Sequence, residues 1–442
     1  MFQSAELDDV VQTALQNTSG PSLSVAATYD GSVAYAKAFG RDRLAPDRVA
    51  TPQTIYSIAS VTKQFTAACV LLLAREGRLR LDDRVAQYFP RATRAGDITI
   101  AHLLSHTSGY PDYYPLGFAD EEKLAPATPD EIIERYAESD LQFEPGSAWS
   151  YSNTGFHIAG RIVELVSETP FGDFLVARVL RPADMSASFL NDPPIELLPS
   201  AFGYTRFCLG PVRRTDPERA GWMYSSGGIA AAAGDLAMWH VALMERRVLD
   251  DALLREMTTP YPLHDGGPSV PALGWFVEKR GAFDVIQHSG GLAGFASQTI
   301  VSLERRCSIV VLANGDHVQV GQLAGRLFER LLPGAVPPAL PEPQARTGPW
   351  TPWLTALQTG EIDRARVTPE FARYLTPQRL DDARVGLGGL GEIREARTVV
   401  AGERGAMPWT KVRIQFEKQS VDVLYRETTD GRLAEFNAYP IP

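Results

Sequence analysis

The chain has 442 residues, with 43 basic and 53 acidic side chains leaving a formal net charge of −10. That balance excludes a basic nucleic-acid-binding surface as the default reading, and 44% hydrophobic with 22% charged residues excludes disorder and collagen-like repeats. No apolar run reaches the ~20 residues of a membrane-spanning helix, and Met1–Glu6 lacks the pattern of an export signal. A cytoplasmic location is expected as the sequence stands, and a periplasmic or secreted one if a leader was removed.

In chain order, Ser22–Tyr29 and Ser32–Phe39 are β-prone runs around Asp30-Gly31, which predicts a hairpin. Val61, Phe65, Ala68, Cys69, Leu72 and Leu73 recur at helical spacing and Gly77 follows as a stop, so a buried helix is expected from near Ser60. The middle, from about Asp82 to Ala272, reads as helices cut by proline and glycine, including Thr128–Ser139, Ser152–Val166 and Ala233–Glu245. Two strands, Gln298–Leu303 and Cys307–Ala313, precede a helix over Val318–Leu332. Strands at both ends with helices between them predict one sheet built from the two ends of this segment, an α/β (α+β) fold.

Six prolines between Pro333 and Pro349 mark a semi-rigid linker. The expected division is 1–335, a linker at 336–349, and a small α+β domain at 350–442. In the last, Pro352–Tyr374 reads as helix, Val412–Tyr425 alternates with period two, and Leu433–Tyr439 reads as strand. Gly386-Leu387-Gly388-Gly389-Leu390-Gly391 matches a dinucleotide-binding spacing, but no strand-to-helix unit surrounds it, so a flexible loop is expected and no nucleotide. Cys69, Cys208 and Cys307 are odd in number and far apart, which predicts buried thiols rather than disulfides or zinc.

The chemistry begins at Ser60-Val61-Thr62-Lys63, where helical spacing puts both polar side chains on one face. A serine hydroxyl is a poor nucleophile at neutral pH, and a lysine can take its proton only if burial brings the amine toward neutrality. Alone, these residues more readily describe a helix cap beside a solvated lysine. Tyr151-Ser152-Asn153 and His288-Ser289-Gly290-Gly291 change that balance. The three sets, in this order, resemble the signatures of the serine β-lactamase and penicillin-binding protein superfamily. Ile100–Gly109 and Ser225-Ser226-Gly227-Gly228 extend the resemblance to its class C and peptidase S12 branch.

The resemblance implies a β-lactamase/transpeptidase-like antiparallel sheet flanked by helices, plus a mostly helical portion. It makes Ser60 the acylated nucleophile, Lys63 its proton partner and Tyr151 the general base and acid. Asn153 would hold Lys63 and the substrate amide, and the backbone N–H groups of Ser60 and Gly291 would form the oxyanion hole. Ser289 and Gly290 complete the substrate-facing strand. His288 departs from the lysine of many β-lactamases, so anchoring of a substrate carboxylate is expected to be weak. The implied activity is cofactor-independent hydrolysis of a peptide or amide, plausible for a D-amino acid, or of a small ester. A sensor that acylates without turnover, or a weak class C β-lactamase, is the alternative. His102 and His106 read as structural and no metal is expected. Tyr110, Tyr113, Tyr114 and Phe118 are candidate cleft aromatics. The C-terminal domain is expected to mediate self-association rather than to cap the cleft or recognise substrate.

Overall fold

The computed structural model describes residues 4–192, 194, 200–267, 271–337, 342 and 347–442. Helix α1 (Ser4–Thr18) leads into β1 (Ser22–Tyr29), β2 (Ser32–Leu44) and β3 (Asp47–Val49). Helices α2 (Thr62–Arg75), α3 (Asn153–Ser167) and α4 (Ala233–Met244) follow, then β4 (Phe276–Arg280), β5 (Phe283–Leu292), β6 (Phe295–Ser302), β7 (Cys307–Ala313) and α5 (Val320–Leu331). The expected hairpin is a two-residue turn, with Asp30 and Gly31 at φ 51° and 75°, as a type I′ turn requires.

The strand order is β3-β2-β1-β7-β6-β5-β4. β1 pairs antiparallel with β7, Leu23 opposite Ala313 and Thr28 opposite Ser308, so the two ends of this segment close one sheet. Val25, Ala27, Ile309 and Val311 pack with Leu7 and Val11 of α1 and Leu323, Leu327 and Phe328 of α5. Ala26, Val310 and Leu312 belong instead to the core that holds Phe65 and Leu72 of α2 and Trp239 of α4. With both faces covered, every residue of β6 and β7 is buried. That is why β7 reads as a nearly continuous apolar run rather than as alternation, while the polar residues of β6, Ser297, Gln298 and Thr299, are buried and hydrogen-bonded.

The C-terminal portion comprises α6 (Thr351–Thr359), α7 (Pro369–Tyr374) and α8 (Pro377–Gly388), then β8 (Ile393–Arg404), β9 (Met407–Phe416), β10 (Ser420–Glu427) and β11 (Leu433–Pro440) as an antiparallel meander. The helix expected over Pro352–Tyr374 is two helices. Gly360 ends α6 at φ 76°, and Thr368 caps α7 ahead of Pro369, a residue tolerated in a helix's first turn but not in its interior. The alternating stretch Val412–Tyr425 is likewise two strands, parts of β9 and β10. The glycine-rich motif is not simply a loop, because Gly386 and Gly388 lie in α8. A Cβ on Gly386 would sit 2.2 Å from the Cys208 carbonyl, so glycine there permits close packing of the helix. Much of the expected linker, 338–341 and 343–346, lies outside the described residues.

The C-terminal core of Trp353, Leu357, Phe371, Ile414, Val423 and Phe436 also takes in Leu116, Phe118, Phe207 and Leu209 from the preceding segment. The Phe118 ring stacks on Tyr374 with centroids 4.1 Å apart. Among the described residues no helix is long and apolar enough to cross a membrane.

Asp422 of β10, fully buried, ties this sheet to the first. It accepts from Arg413 Nε at 2.7 Å and from Gln322 Nε2 of α5 at 2.6 Å. Burial opposes its charge, but Arg413 and Lys411 hold the carboxyl below its ordinary value. Asp422→Ala should cost about 3 kcal/mol in urea unfolding at pH 7, because it strands a half-buried cation. The difference from wild type should shrink as the pH falls below the ordinary carboxylate range near ~4, since the unfolded carboxyl then binds the proton first.

Candidate active site

Ser60 lies in the 3-10 turn Ala59–Val61 that runs into α2. Ala59 sits at φ 48°, a left-handed conformation that costs a non-glycine residue energy and is held by its surroundings. β4 pairs with β5 only over Phe283–Gln287, so the remainder of β5, His288–Leu292, has no strand on that side and packs against the Ser60 turn. Ser289 and Gly291 are exposed on this strand, whereas His288 and Gly290 are buried. A Cβ at Gly290 would come within 2.3 Å of both the Ile58 carbonyl and Ser297 Oγ, while one at Gly291 would meet open space.

Lys63 is completely buried. Its Nζ is 2.7 Å from Asn153 Oδ1, 2.8 Å from the Ser226 carbonyl and 3.2 Å from Ser60 Oγ. The rings of Tyr151 and Phe156 lie 4.8 and 5.3 Å away. Burial pushes the ammonium well below its ordinary value, Asp112 partly offsets this, and Arg404 adds to it. A neutral amine fits the contacts: two N–H bonds go to the two obligate acceptors, leaving a lone pair for the Ser60 hydroxyl.

Asn153 opens α3, and its orientation is fixed from behind. Its Nδ2 donates to Asp112 Oδ1 at 2.9 Å and its backbone N–H to the same oxygen at 3.1 Å. Asp112 is itself fully buried and accepts at 2.7 Å from Arg404 Nε. Arg404 reaches the site from the tip of the β8–β9 hairpin, whose turn residues Gly405 and Ala406 both have positive φ. Its guanidinium also donates to the Tyr114 carbonyl at 2.6 Å and lies 4.7 Å from the Tyr151 ring centroid.

Tyr151 hydrogen-bonds Ser60, and burial raises its pKa although Arg404 and Ser60 oppose the shift. The phenol is therefore protonated at neutral pH. Its ring stacks on His106 at 4.4 Å. His288 donates from Nδ1 to the Ser289 carbonyl at 2.6 Å. Burial and the nearby Lys63 lower its pKa to about 3, so at pH 7 it is a neutral imidazole. Ser60, Tyr151, Asn153, His288 and Arg404 line a cavity of about 450 Å³, together with Trp149, Phe276, Trp409 and Arg426. The structure thus brings Ser60, Lys63, Tyr151, Asn153, His288, Ser289, Gly290 and Gly291 together.

Of the other candidates, Tyr114 lines the cavity, Tyr113 is buried on Ser226 Oγ at 2.7 Å, and Phe118 points into the C-terminal core. His102 completes a helix cap with Thr99. Among the described residues no group of three side chains is placed to hold a metal. Asp112 and Arg404 were not anticipated from the sequence, whereas His106, read there as structural, stacks on Tyr151 and accepts the Ser152 backbone N–H. The Gly405 turn was the one available signal for the hairpin that carries Arg404.

A β-lactamase family model matches residues 7–331, and the chain belongs to that family. It is 29% identical over 405 residues to a D-aminopeptidase of Brucella melitensis, covering 89% of this chain and 75% of that protein. The solved structure of a D-stereospecific amidohydrolase from a Streptomyces species aligns at TM-score 0.65 and 26% identity, over 75% of this chain and 99% of that one. An octameric penicillin-binding protein homologue from Pyrococcus abyssi aligns at TM-score 0.66 and 21% identity over 99% of this chain and 96% of that one, which shows the fold. The chain is a serine hydrolase of the β-lactamase family.

The two strand glycines make a contrast that can be measured. Gly290→Ala should slow labelling of the protein by a fluorophosphonate about a hundredfold or more, because β5 must move off the Ser60 turn. Gly291→Ala should label far faster than Gly290→Ala, and equal rates would show that the turn is not held by this contact.

Proposed function

We propose that the protein hydrolyses small amides, amino-acid amides or short peptides with a D-residue on the acyl side, through an acyl-enzyme on Ser60. The observation that carries this reading is the buried Lys63 amine, bonded to Asn153, Ser226 and Ser60 and held toward its neutral form. Lys63 takes the Ser60 proton as Oγ attacks the carbonyl carbon, with the backbone N–H groups of Ser60 and Gly291 receiving the oxyanion. The carbon–nitrogen bond then breaks, and the protonated Tyr151 hydroxyl delivers the proton to the leaving amine while Lys63 restores it. Water attacks the ester by the reverse proton route, releasing the acid and returning Ser60.

The preference for amide over carboxylate-ended substrates is supported by charge. Arg404 and Arg426, which line the cavity, are each bonded to a carboxylate, Asp112 and Glu435, and His288 is neutral. The D-series assignment follows the named relatives. We divide the chain into a hydrolase domain at 1–335, a linker at 336–349 and a C-terminal domain at 350–442. Self-association is assigned to the outer edge of β8, the end strand of its sheet, where Val400 is exposed.

Intact mass after fluorophosphonate treatment should show one adduct on wild type and none on Ser60→Ala. Lys63→Ala and Tyr151→Phe should each lose about a thousandfold or more in turnover of D-alanine amide or D-phenylalanine amide, as groups in one proton network act together. Sustained turnover supports the hydrolase. A single burst with no steady rate across D-amides, L-amides, esters and a cephalosporin would replace it with a sensor that acylates once.

A further inference from the structure

We propose that Arg404 is a positioning residue of the catalytic centre, acting on Lys63 through Asp112 and Asn153, so that the C-terminal hairpin completes the active site. This deepens the function proposed above and rests on the role given there to Lys63.

The geometry is one unbroken line of hydrogen bonds. Arg404 Nε meets Asp112 Oδ2 at 2.7 Å, Asn153 Nδ2 meets Asp112 Oδ1 at 2.9 Å, Lys63 Nζ meets Asn153 Oδ1 at 2.7 Å, and Ser60 Oγ lies 3.2 Å beyond. An asparagine amide can turn end for end, and only one orientation offers an oxygen to Lys63. Asp112, an acceptor on both oxygens, selects that orientation because Nδ2 must face it. Asp112 can remain a buried carboxylate only if its charge is matched. The matching cation is Arg404, with the Tyr114 and Asn153 backbone N–H groups adding bonds.

The hairpin holds Arg404 rigidly. The Arg404 carbonyl accepts from Arg426, which pairs with Glu435, and Glu435 in turn accepts from the Gly117 backbone N–H at 3.1 Å. At the hairpin tip, a Cβ on Gly405 would lie 2.7 Å from Pro115 Cβ, so the turn is docked closely.

Electrostatics gives the relay a measurable sign. The groups facing Lys63 are Ser60 in the turn ahead of α2, Asn153 and the Phe156 ring on α3, Tyr151 ahead of α3, the Ser226 carbonyl, and the imidazoles of His106 and His288. Both imidazoles are held neutral, so Asp112 and Arg404 are the opposed full charges acting on the amine. Without Arg404, the Lys63 ammonium is the nearby cation left to match a buried Asp112 carboxylate, so Lys63 would hold its proton more tightly and accept the Ser60 proton only at higher pH.

The test is the second-order rate of fluorophosphonate labelling at Ser60 from pH 5 to 10, with a thermal midpoint for each variant. For Arg404→Met the acidic limb should move up by about one unit or more, which is a roughly tenfold slower reaction at pH values below both limbs that recovers toward wild type in alkali. Arg404→Lys keeps the charge and should keep the limb within half a unit of wild type, roughly the scatter of such limbs. A superimposable Arg404→Met profile, or a uniform loss that Arg404→Lys does not relieve, would overturn the proposal. Should Arg404→Met unfold because Asp112 is stranded, the Asp112→Asn/Arg404→Met pair decides. It removes a neutral pair, so its limb should stay near wild type while labelling slows about tenfold. A wild-type rate in that double variant overturns the relay. Absence of label on wild type itself would show the failure of the Ser60 reading before any variant is compared.

Discussion

A primary amine with no exposed surface and no carboxylate in bonding contact is the constraint on which this site is built. Lys63 meets two neutral acceptors, a serine hydroxyl and two aromatic rings. A buried ammonium in that setting would carry an uncompensated desolvation cost of several kcal/mol. Releasing a proton removes the cost and produces a base beside Ser60. The same burial has the opposite effect on Tyr151, whose neutral form is the protonated one. The same surroundings therefore drive the two groups apart, the amine toward its neutral form and the phenol toward its protonated one.

The parts of this arrangement that are local in sequence were legible. Ser60 and Lys63 lie one turn apart, and Asn153 and Gly291 sit in short segments recognisable by resemblance. The sheet closed by β1 and β7 was legible too, because strand-forming runs flank a helical middle. What was not legible depends on chain folding over long separations. Asp112 and Arg404 are 292 positions apart. β8 carries Arg394, Glu395, Arg397 and Glu403, so no period-two pattern announced the strand that delivers Arg404. The reference pKa already makes Tyr151 a protonated phenol at neutral pH; what the sequence hid was the direction of its shift, which burial drives upward despite the cation beside it.

The segment from Asp112 to Phe118 joins catalysis to packing. Asp112 fixes Asn153, Tyr114 lines the cavity, and Leu116 and Phe118 are buried in the core of the C-terminal sheet. Gly117 bonds Glu435 of β11, and Pro115 touches the tip of the β8–β9 hairpin. Seven consecutive residues thus take positions from two cores at once. A shift in the docking of the C-terminal sheet would move both the Asp112 carboxylate and the Arg404 that matches it, which makes this sheet part of the site rather than an appendage.

The charge pattern of the cleft bears on what enters it. Arg404 and Arg426 each face a carboxylate, and His288 uses its Nδ1 proton on the Ser289 carbonyl, leaving only an Nε2 lone pair. A substrate ending in a carboxylate would lose water on entry and gain a cation only by taking one from Asp112 or Glu435. Taking Arg404 would undo the support of Asn153 and, with it, the base. A neutral amide terminus makes no such demand. Under the proposed mechanism, the Arg404–Asp112 pair that supports Lys63 is also the pair that withholds a cation from an anionic leaving group, so reactivity and selectivity would share one electrostatic origin.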